Sequence, residues 1–391
     1  MLTNTMLFAA VAVASIVAVE AVLRVALPTP PGYFVIPPGT SWTIAASPGV
    51  VRGVNGVAQY RINSDGVRGR PFGDDVREFR LLAVGGSTTE CVVLDESEVW
   101  TNVLERSLAH TTDSRNVWVG NVGKSGLTSR EHVLHLKYLL PQYPHINVVV
   151  VLAGVNDMLG ALKQGLAYRA PVPVTEPDGE RRDLRRAFAV LPGMGHLPAT
   201  DDEVVPWYRT TAIWDLARRA KRRWLLQRSV EPAGSEGLVR ARSHRGAARV
   251  LDSLPSLDAP LRVFRKNLDV MADIAATRAV RLVFVTQPSA WRETMPEAQV
   301  RDLWLGWLGA GWGSAQAYYS TGALARAMES FNEVTRDVCR ARGVECVDAA
   351  AMMPRDTTMF YDDAHFTEAG SRRLAAILAG HFASRPPFVN K

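Results

Sequence analysis

Four short stretches of this 391-residue chain hold groups suited to attack on a carbonyl carbon. Gly85-Gly86-Ser87-Thr88-Thr89 places a hydroxyl directly after an apolar run. "GNVGKSGLTS" (120–129) ends in a turn that bares the N–H of Gly126. "GVND" (154–157) offers the side-chain amide of Asn156, and "FYDDAHFTEAG" (360–370) sets Asp362 and His365 three apart. Acyl transfer from an ester needs a nucleophile, a base, an orienting carboxylate and donors for the developing oxyanion. The four stretches supply each of these.

Other readings of the same residues are weaker. Gly123-Lys124-Ser125 has the letters of a phosphate loop, but that loop needs a glycine where Trp118 stands. Taken alone, Ser87 reads as a helix cap, and Asn156 and Asp157 as turn formers. His132 and His135 in "EHVLH" lack the zinc-binding H-E-x-x-H order, so both are expected to be structural. Cys91, one turn past Ser87, reads as a packing residue rather than a nucleophile. The G-x-S-x-G elbow of another hydrolase fold is missing around Ser87.

Five apolar, β-branched runs must position these groups: 80–86, 116–123, 147–154, 280–288 and 344–348. Runs this uniformly apolar fit strands buried on both faces. Helical patterns alternate with them, as at 129–140, 323–342 and 368–382, the last with Thr367 as its N-cap. The alternation predicts a five-stranded parallel sheet with helices on both faces. Sites on such sheets form outside the carboxyl ends of the strands, where the four stretches fall. His365 then lies near the positive end of the last helix, which is expected to help keep its ring neutral.

In order, across roughly residues 80–385, these stretches resemble the four blocks of the SGNH/GDSL hydrolase family. The first block's serine falls on Ser87, although "GDS" reads Gly85-Gly86-Ser87 here, without the aspartate. The second block's glycine falls on Gly126, the third block's asparagine on Asn156, and "DxxH" on Asp362 and His365. The family's three-residue offset selects Asp362 over Asp363. "YRINSDGVRG" (60–69) is also similar to the lead-in of membrane-anchored bacterial members. The resemblance implies a flavodoxin-like three-layer α/β/α sandwich. It implies that His365 takes the proton of Ser87, that Asp362 orients the imidazole, and that Ser87 N–H, Gly126 N–H and Asn156 hold the oxyanion. It implies an acyl-ester substrate and calls for no metal or diffusible cofactor.

Outside these blocks the chain is organised by hydropathy and charge. Residues 2–27 are apolar over a length that crosses a bilayer core, with Glu20 and Arg24 four apart near the end. No lysine or arginine precedes the run, so a retained single-span anchor over 1–28 is expected rather than a cleaved signal peptide. Prolines through 29–59 suggest an extended, stiff spacer before a hydrolase domain at 60–391. Between the third and fourth strands, about 158–262 is too long for one crossover and reads as an inserted cap. Trp304, Trp307 and Trp312 follow the fourth strand and suit cap packing, with sugar stacking or an acyl groove as alternatives.

The net charge of +6 concentrates in 180–249, with 15 Lys/Arg against 8 Asp/Glu. Clusters such as "ARRAKRRW" (217–224) read as a solvated helix face, with anionic lipid or substrate as the alternative. No recognised nucleic-acid module accompanies them. Cys91, Cys339 and Cys346 are too few for a disulfide framework, and Cys339 and Cys346 are expected to be free thiols.

Together with the resemblance these features predict a membrane-anchored esterase, and the resemblance implies that its catalytic domain lies outside the cytoplasmic membrane. Its expected substrate is a small acyl ester on a carbohydrate or cell-envelope component. An O-acyltransferase acting on a surface polysaccharide is one alternative, and a non-catalytic envelope-binding protein is another.

Overall fold

The computed structural model describes residues 2–26, 32–192 and 235–388, apart from 48, 76, 110–115, 144 and 386. Short pieces at 195–196, 208, 211–214 and 216–217 are also described. Along the chain come α1 (Leu2–Ala26), β1 (Ser41–Ala45), β2 (Val57–Arg61), β3 (Phe79–Gly85), α2 (Ser87–Glu90) and α3 (Trp100–Ala109). Then follow β4 (Val117–Asn121), α4 (Ser129–Gln142), β5 (Val148–Leu152), α5 (Val155–Gln164), α6 (Pro177–Ala187) and α7 (Ser235–Ala247). The chain continues with α8 (Asp258–Thr277), β6 (Arg281–Val285), α9 (Thr321–Arg342), β7 (Glu345–Val347) and α10 (Glu368–Ala383).

Every residue of β3, β4 and β5 is buried, as uniformly apolar runs require when both sheet faces are covered. The sheet is parallel, in the order β7-β6-β5-β3-β4. In sequence terms this is 2-1-3-4-5, the flavodoxin-like order, whose reversal falls between β3 and β5. Leu82, Val84, Val149 and Val151 point to one face, where Phe264 of α8 and Phe331 of α9 cover them. Leu81, Ala83, Val148 and Val150 point to the other, against Leu104 of α3 and Leu378 of α10. Each of these valine, leucine and phenylalanine side chains contributes about 1.5–3 kcal/mol relative to exposure, which fixes the register of the strand ends.

Two helix starts near the strand ends are set by local chemistry. Thr128 and Glu131 form a reciprocal capping box on α4, directly after Gly126 and Leu127. Thr367 Oγ1 accepts the Gly370 N–H and starts α10, as the sequence predicts.

The segment expected to be an extended spacer is folded over its described residues. Phe34, Val35 and Ile36 are buried, and Tyr33 packs on Tyr138 with ring centroids 4.3 Å apart. β1 and β2 pair antiparallel, and Trp42 stacks on Tyr60. Aromatic and branched residues between the prolines have a tertiary partner here, and that contact outweighs the stiffness proline imposes.

Helix α8 forms the crossover into β6. Of the basic cluster 217–224, only Ala217 lies within the described residues. α1 contains 22 apolar-rich residues, Thr5–Ala26, long enough to cross a membrane at about 1.5 Å per residue. Its large apolar side chains are exposed all round, and Arg24 donates to Glu20 at 2.7 Å.

Candidate active site

The first strand end explains its two glycines. A Cβ on Gly85 would stand 2.7 Å from the Leu152 carbonyl oxygen, and one on Gly86 would stand 2.5 Å from Asn156 Nδ2. β3 therefore meets β5 and the Asn156 amide without side chains between them. Ser87 follows as the first residue of α2, where a backbone N–H has no intrahelical acceptor. The position of the family's usual aspartate is filled by the Asn156 amide.

The chain brings Ser87, His365 and Asp362 together. Ser87 Oγ lies 2.8 Å from His365 Nε2, and His365 Nδ1 lies 2.8 Å from Asp362 Oδ2. Asp362 Oδ1 also accepts the N–H groups of Ala364 and His365, at 3.0 and 2.9 Å. The Tyr361 ring stacks on the imidazole at 5.6 Å. Burial works against a charged imidazolium, but the Asp362 charge and hydrogen bond outweigh it and raise His365 above its ordinary value. This corrects the expectation that the helix end keeps the ring neutral, because a touching carboxylate exceeds a partial dipole. Burial also opposes the Asp362 carboxylate, yet His365 and Trp304 hold its pKa below the ordinary value.

Gly126 and Asn156 stand at the same rim. Gly126 has φ +80°, with open space where a Cβ would go, so glycine fits both the turn and the approach of a ligand. Asn156 Nδ2 donates to the Leu127 carbonyl at 2.7 Å, tying α5 to the Gly126 loop. An amide nitrogen carries two hydrogens, so one N–H remains. Asp157 does more than shape a turn. It accepts the Ser129 N–H at 3.0 Å and the Ser129 hydroxyl at 2.5 Å, joining α5 to the start of α4. Burial pushes its pKa up to about 7 despite those bonds.

Four residues support the site: Trp304, read in the sequence only as cap packing or a stacking ring, Asp363, read there only as the weaker rival of Asp362, and Glu90 and Arg68, which the sequence did not single out. Trp304 Nε1 donates to Asp362 Oδ2 at 2.8 Å. Asp363 holds that tryptophan's loop by accepting Trp304 N–H, Leu305 N–H and Trp291 Nε1 at 2.7, 3.0 and 2.8 Å. Glu90 accepts the Ser125 N–H at 2.7 Å, the Ser125 hydroxyl at 2.5 Å and the Tyr60 hydroxyl at 3.0 Å. Its signal was the S-x-x-E spacing from Ser87, which suggests a capping box, yet the carboxylate reaches across to the Gly126 loop. Arg68, buried beneath the Tyr60 ring, donates to the carbonyls of Glu90, Cys91 and Leu94 at 2.5, 2.9 and 2.6 Å. The 60–69 stretch thus braces both the Ser87 helix and the Gly126 loop.

The remaining candidates are structural. Burial pushes the His135 pKa down to about 3, and its Nε2 sits 3.1 Å from the Ala187 carbonyl. Burial also lowers His132. Cys91 is buried, its thiol pushed up to about 12 by burial. Cys339 and Cys346 are free thiols, the first buried and the second half-buried.

Ser87, Gly126, Asn156, Asp362 and His365 share the wall of one cavity of about 1440 Å³, with Trp304, Trp307 and Trp312 on the same lining. A hydroxyl at a strand end beside an imidazole–carboxylate pair is the arrangement of a hydrolase that works through a serine.

The model of the GDSL-like lipase/acylhydrolase family matches residues 83–373. The chain belongs to this family and is an enzyme of the carboxylic ester hydrolase class. A lipase/acylhydrolase from Enterococcus faecalis is 14% identical, with 80% of this chain and 100% of that one covered and a TM-score of 0.39. An acetylxylan esterase from Geobacillus stearothermophilus, solved as a catalytic mutant, is 12% identical, covering 80% and 97% with a TM-score of 0.41. The aryl esterase of M. smegmatis is 14% identical, covering 78% and 99% with a TM-score of 0.40. No curated protein matches the chain.

Proposed function

We propose that the protein is a membrane-anchored serine esterase that removes a short acyl group, acetyl first among them, from an ester on a carbohydrate or cell-envelope component. His365 Nε2 takes the Ser87 proton as Oγ attacks the carbonyl carbon. Asp362 fixes the tautomer and stabilises the imidazolium. Ser87 N–H, Gly126 N–H and the second Asn156 N–H face the oxyanion, each worth about 3 kcal/mol in the transition state. The imidazolium then protonates the departing alkoxide, leaving an acyl ester on Ser87. Water, deprotonated by the same imidazole, attacks this ester and releases the carboxylic acid.

The observation that carries this reading is the 2.8 Å approach of His365 Nε2 to Ser87 Oγ, with Asp362 on the opposite ring nitrogen. Ser87→Ala should keep the wild-type melting temperature and lose turnover of a short acyl nitrophenyl ester. Full activity in that variant overturns the assignment.

The cavity size favours one second reading. At about 1440 Å³ it exceeds what a drug-sized ligand fills, leaving room for an acceptor hydroxyl beside the acylated serine. Transfer to a polysaccharide would then compete with hydrolysis. Incubation with an acyl donor and a candidate glycan separates the two, because only transfer yields acylated glycan.

In this reading α1 is a retained single span and the catalytic domain is extracytoplasmic. Protease added to intact cells should remove the domain if that topology holds, and should spare it if the domain faces the cytoplasm.

A further inference from the structure

The cavity around Ser87 extends well past the reacting atoms. Helix α5 forms one wall, with Asn156 in its first turn and Lys163 in its last, both lining the space. Seven residues at about 1.5 Å each place Lys163 about 10 Å from Asn156 along the axis. Gly160 lies between them, and a Cβ there would meet nothing within 4 Å, so this stretch of wall is bare.

An aromatic surface leads to the same lysine. Trp304, bonded to Asp362, packs on Trp307 with centroids 6.1 Å apart and planes 26° from parallel. Lys163 Nζ stands 5.3 Å from the Trp307 ring centre. Arg169 lines the cavity a little further on, exposed, with a hydrogen bond to its neighbour's carbonyl.

Charge distinguishes these two cations from the others on the wall. Arg130 and Arg182 both pair with Asp183, and Arg186 pairs with Glu131. Among the described residues no carboxylate pairs with Lys163 or Arg169. A long hydrocarbon chain lying here would desolvate both cations without compensation. An anion would instead gain charge-assisted hydrogen bonds, and the indole faces suit the apolar face of a sugar ring.

We propose that this end of the cavity is a subsite for an anionic sugar unit. The ester cleaved at Ser87 then sits on a negatively charged saccharide, held by Lys163, about 10 Å along α5 from Asn156, and by Arg169 on the same cavity wall. The chemistry rests on the esterase reading above, whereas the binding does not.

Two measurements on the full chain in detergent test it. In the Ser87→Ala background, unacetylated oligogalacturonate should bind at least about tenfold more tightly than neutral xylo-oligosaccharide at low salt. Adding Lys163→Gln and Arg169→Gln should erase that difference. With Ser87 intact, kcat/KM for acetylated oligogalacturonate over acetylated xylo-oligosaccharide should fall from about tenfold to near one in the same double variant. Equal binding of charged and neutral chains overturns the proposal, as does a preference that survives both substitutions. Stronger turnover of lysophosphatidylglycerol micelles than of the acetylated uronate also overturns it, assigning the cations to a lipid headgroup. Selective binding without any turnover would sink the esterase reading and leave the subsite standing. Turnover without charge preference would do the reverse.

Discussion

Trp304 and Asp362, 58 residues apart, meet through an indole N–H that donates to Oδ2, the oxygen that also faces His365 Nδ1. The tryptophan therefore shares control of the carboxylate that orients the imidazole. Trp304→Phe keeps the ring and removes the donor. A hydrogen bond to a charged group is worth about 1.5–3 kcal/mol, so kcat should fall roughly tenfold or more. Steady-state kinetics on a nitrophenyl ester checks this, and a wild-type kcat would refute the link.

The pH profile follows from His365. Its pKa lies above the ordinary 6.5 because Asp362 outweighs the opposing effect of burial. The proton-accepting form prevails only above that raised value, so kcat/KM should decline as the pH drops through a point higher than 6.5. Asp362→Asn should move this limb to lower pH while cutting the plateau by roughly 10³–10⁴-fold. The stability contribution runs the other way. It is fully present below the unfolded value and is lost as the pH rises through the folded one. Melting curves across that window test the second half of the statement.

Glu90 holds the Gly126 loop through Ser125, and the proposed oxyanion role of Gly126 makes it a positioning residue. Glu90→Gln substitutes an amide donor where the carboxylate accepted two donors of Ser125 and one of Tyr60. We expect a loss of about 1–3 kcal/mol in stability and a drop in kcat of roughly ten- to a hundredfold. Arg68→Met should cost more stability, about 3 kcal/mol or above, since it strands three carbonyls beneath the Ser87 helix. Chemical denaturation separates the two variants.

Restoring the family's aspartate should harm this enzyme. A Cβ at position 86 would press on Asn156 Nδ2 at 2.5 Å, and that amide can yield only by giving up its 2.7 Å bond to the Leu127 carbonyl. In doing so it leaves the position assigned to the oxyanion. Gly86→Asp should therefore lose about 1–3 kcal/mol of stability and up to about a hundredfold in kcat. Undiminished turnover would show that Asn156 does not serve the oxyanion.

The strand ends were legible because a strand buried on both faces must be apolar throughout, so its last apolar residue marks the rim. Ser87, Gly126 and Asn156 could be placed that way, whereas Asp362 and His365 lie well past the end of β7 at Val347 and were read from their D-x-x-H spacing. Trp304, Glu90 and Arg68 could not, since a single polar contact between distant segments leaves no period in the chain. The stretch 29–59, expected to be a spacer, was misread over its described residues for a related reason. Its prolines signal local stiffness, whereas Phe34, Val35 and Ile36 owe their burial to partners elsewhere, such as Val190, whose carbonyl accepts the Phe34 N–H at 3.1 Å.

The separation of 278 in sequence between Ser87 and His365 also orders events during synthesis. The hydroxyl emerges from the ribosome early and the imidazole late, immediately before α10, which packs against α3. A nascent chain thus carries an unactivated serine until α10 docks. Onset of turnover would report completed folding, and a half-made molecule would be inert towards the esters around it.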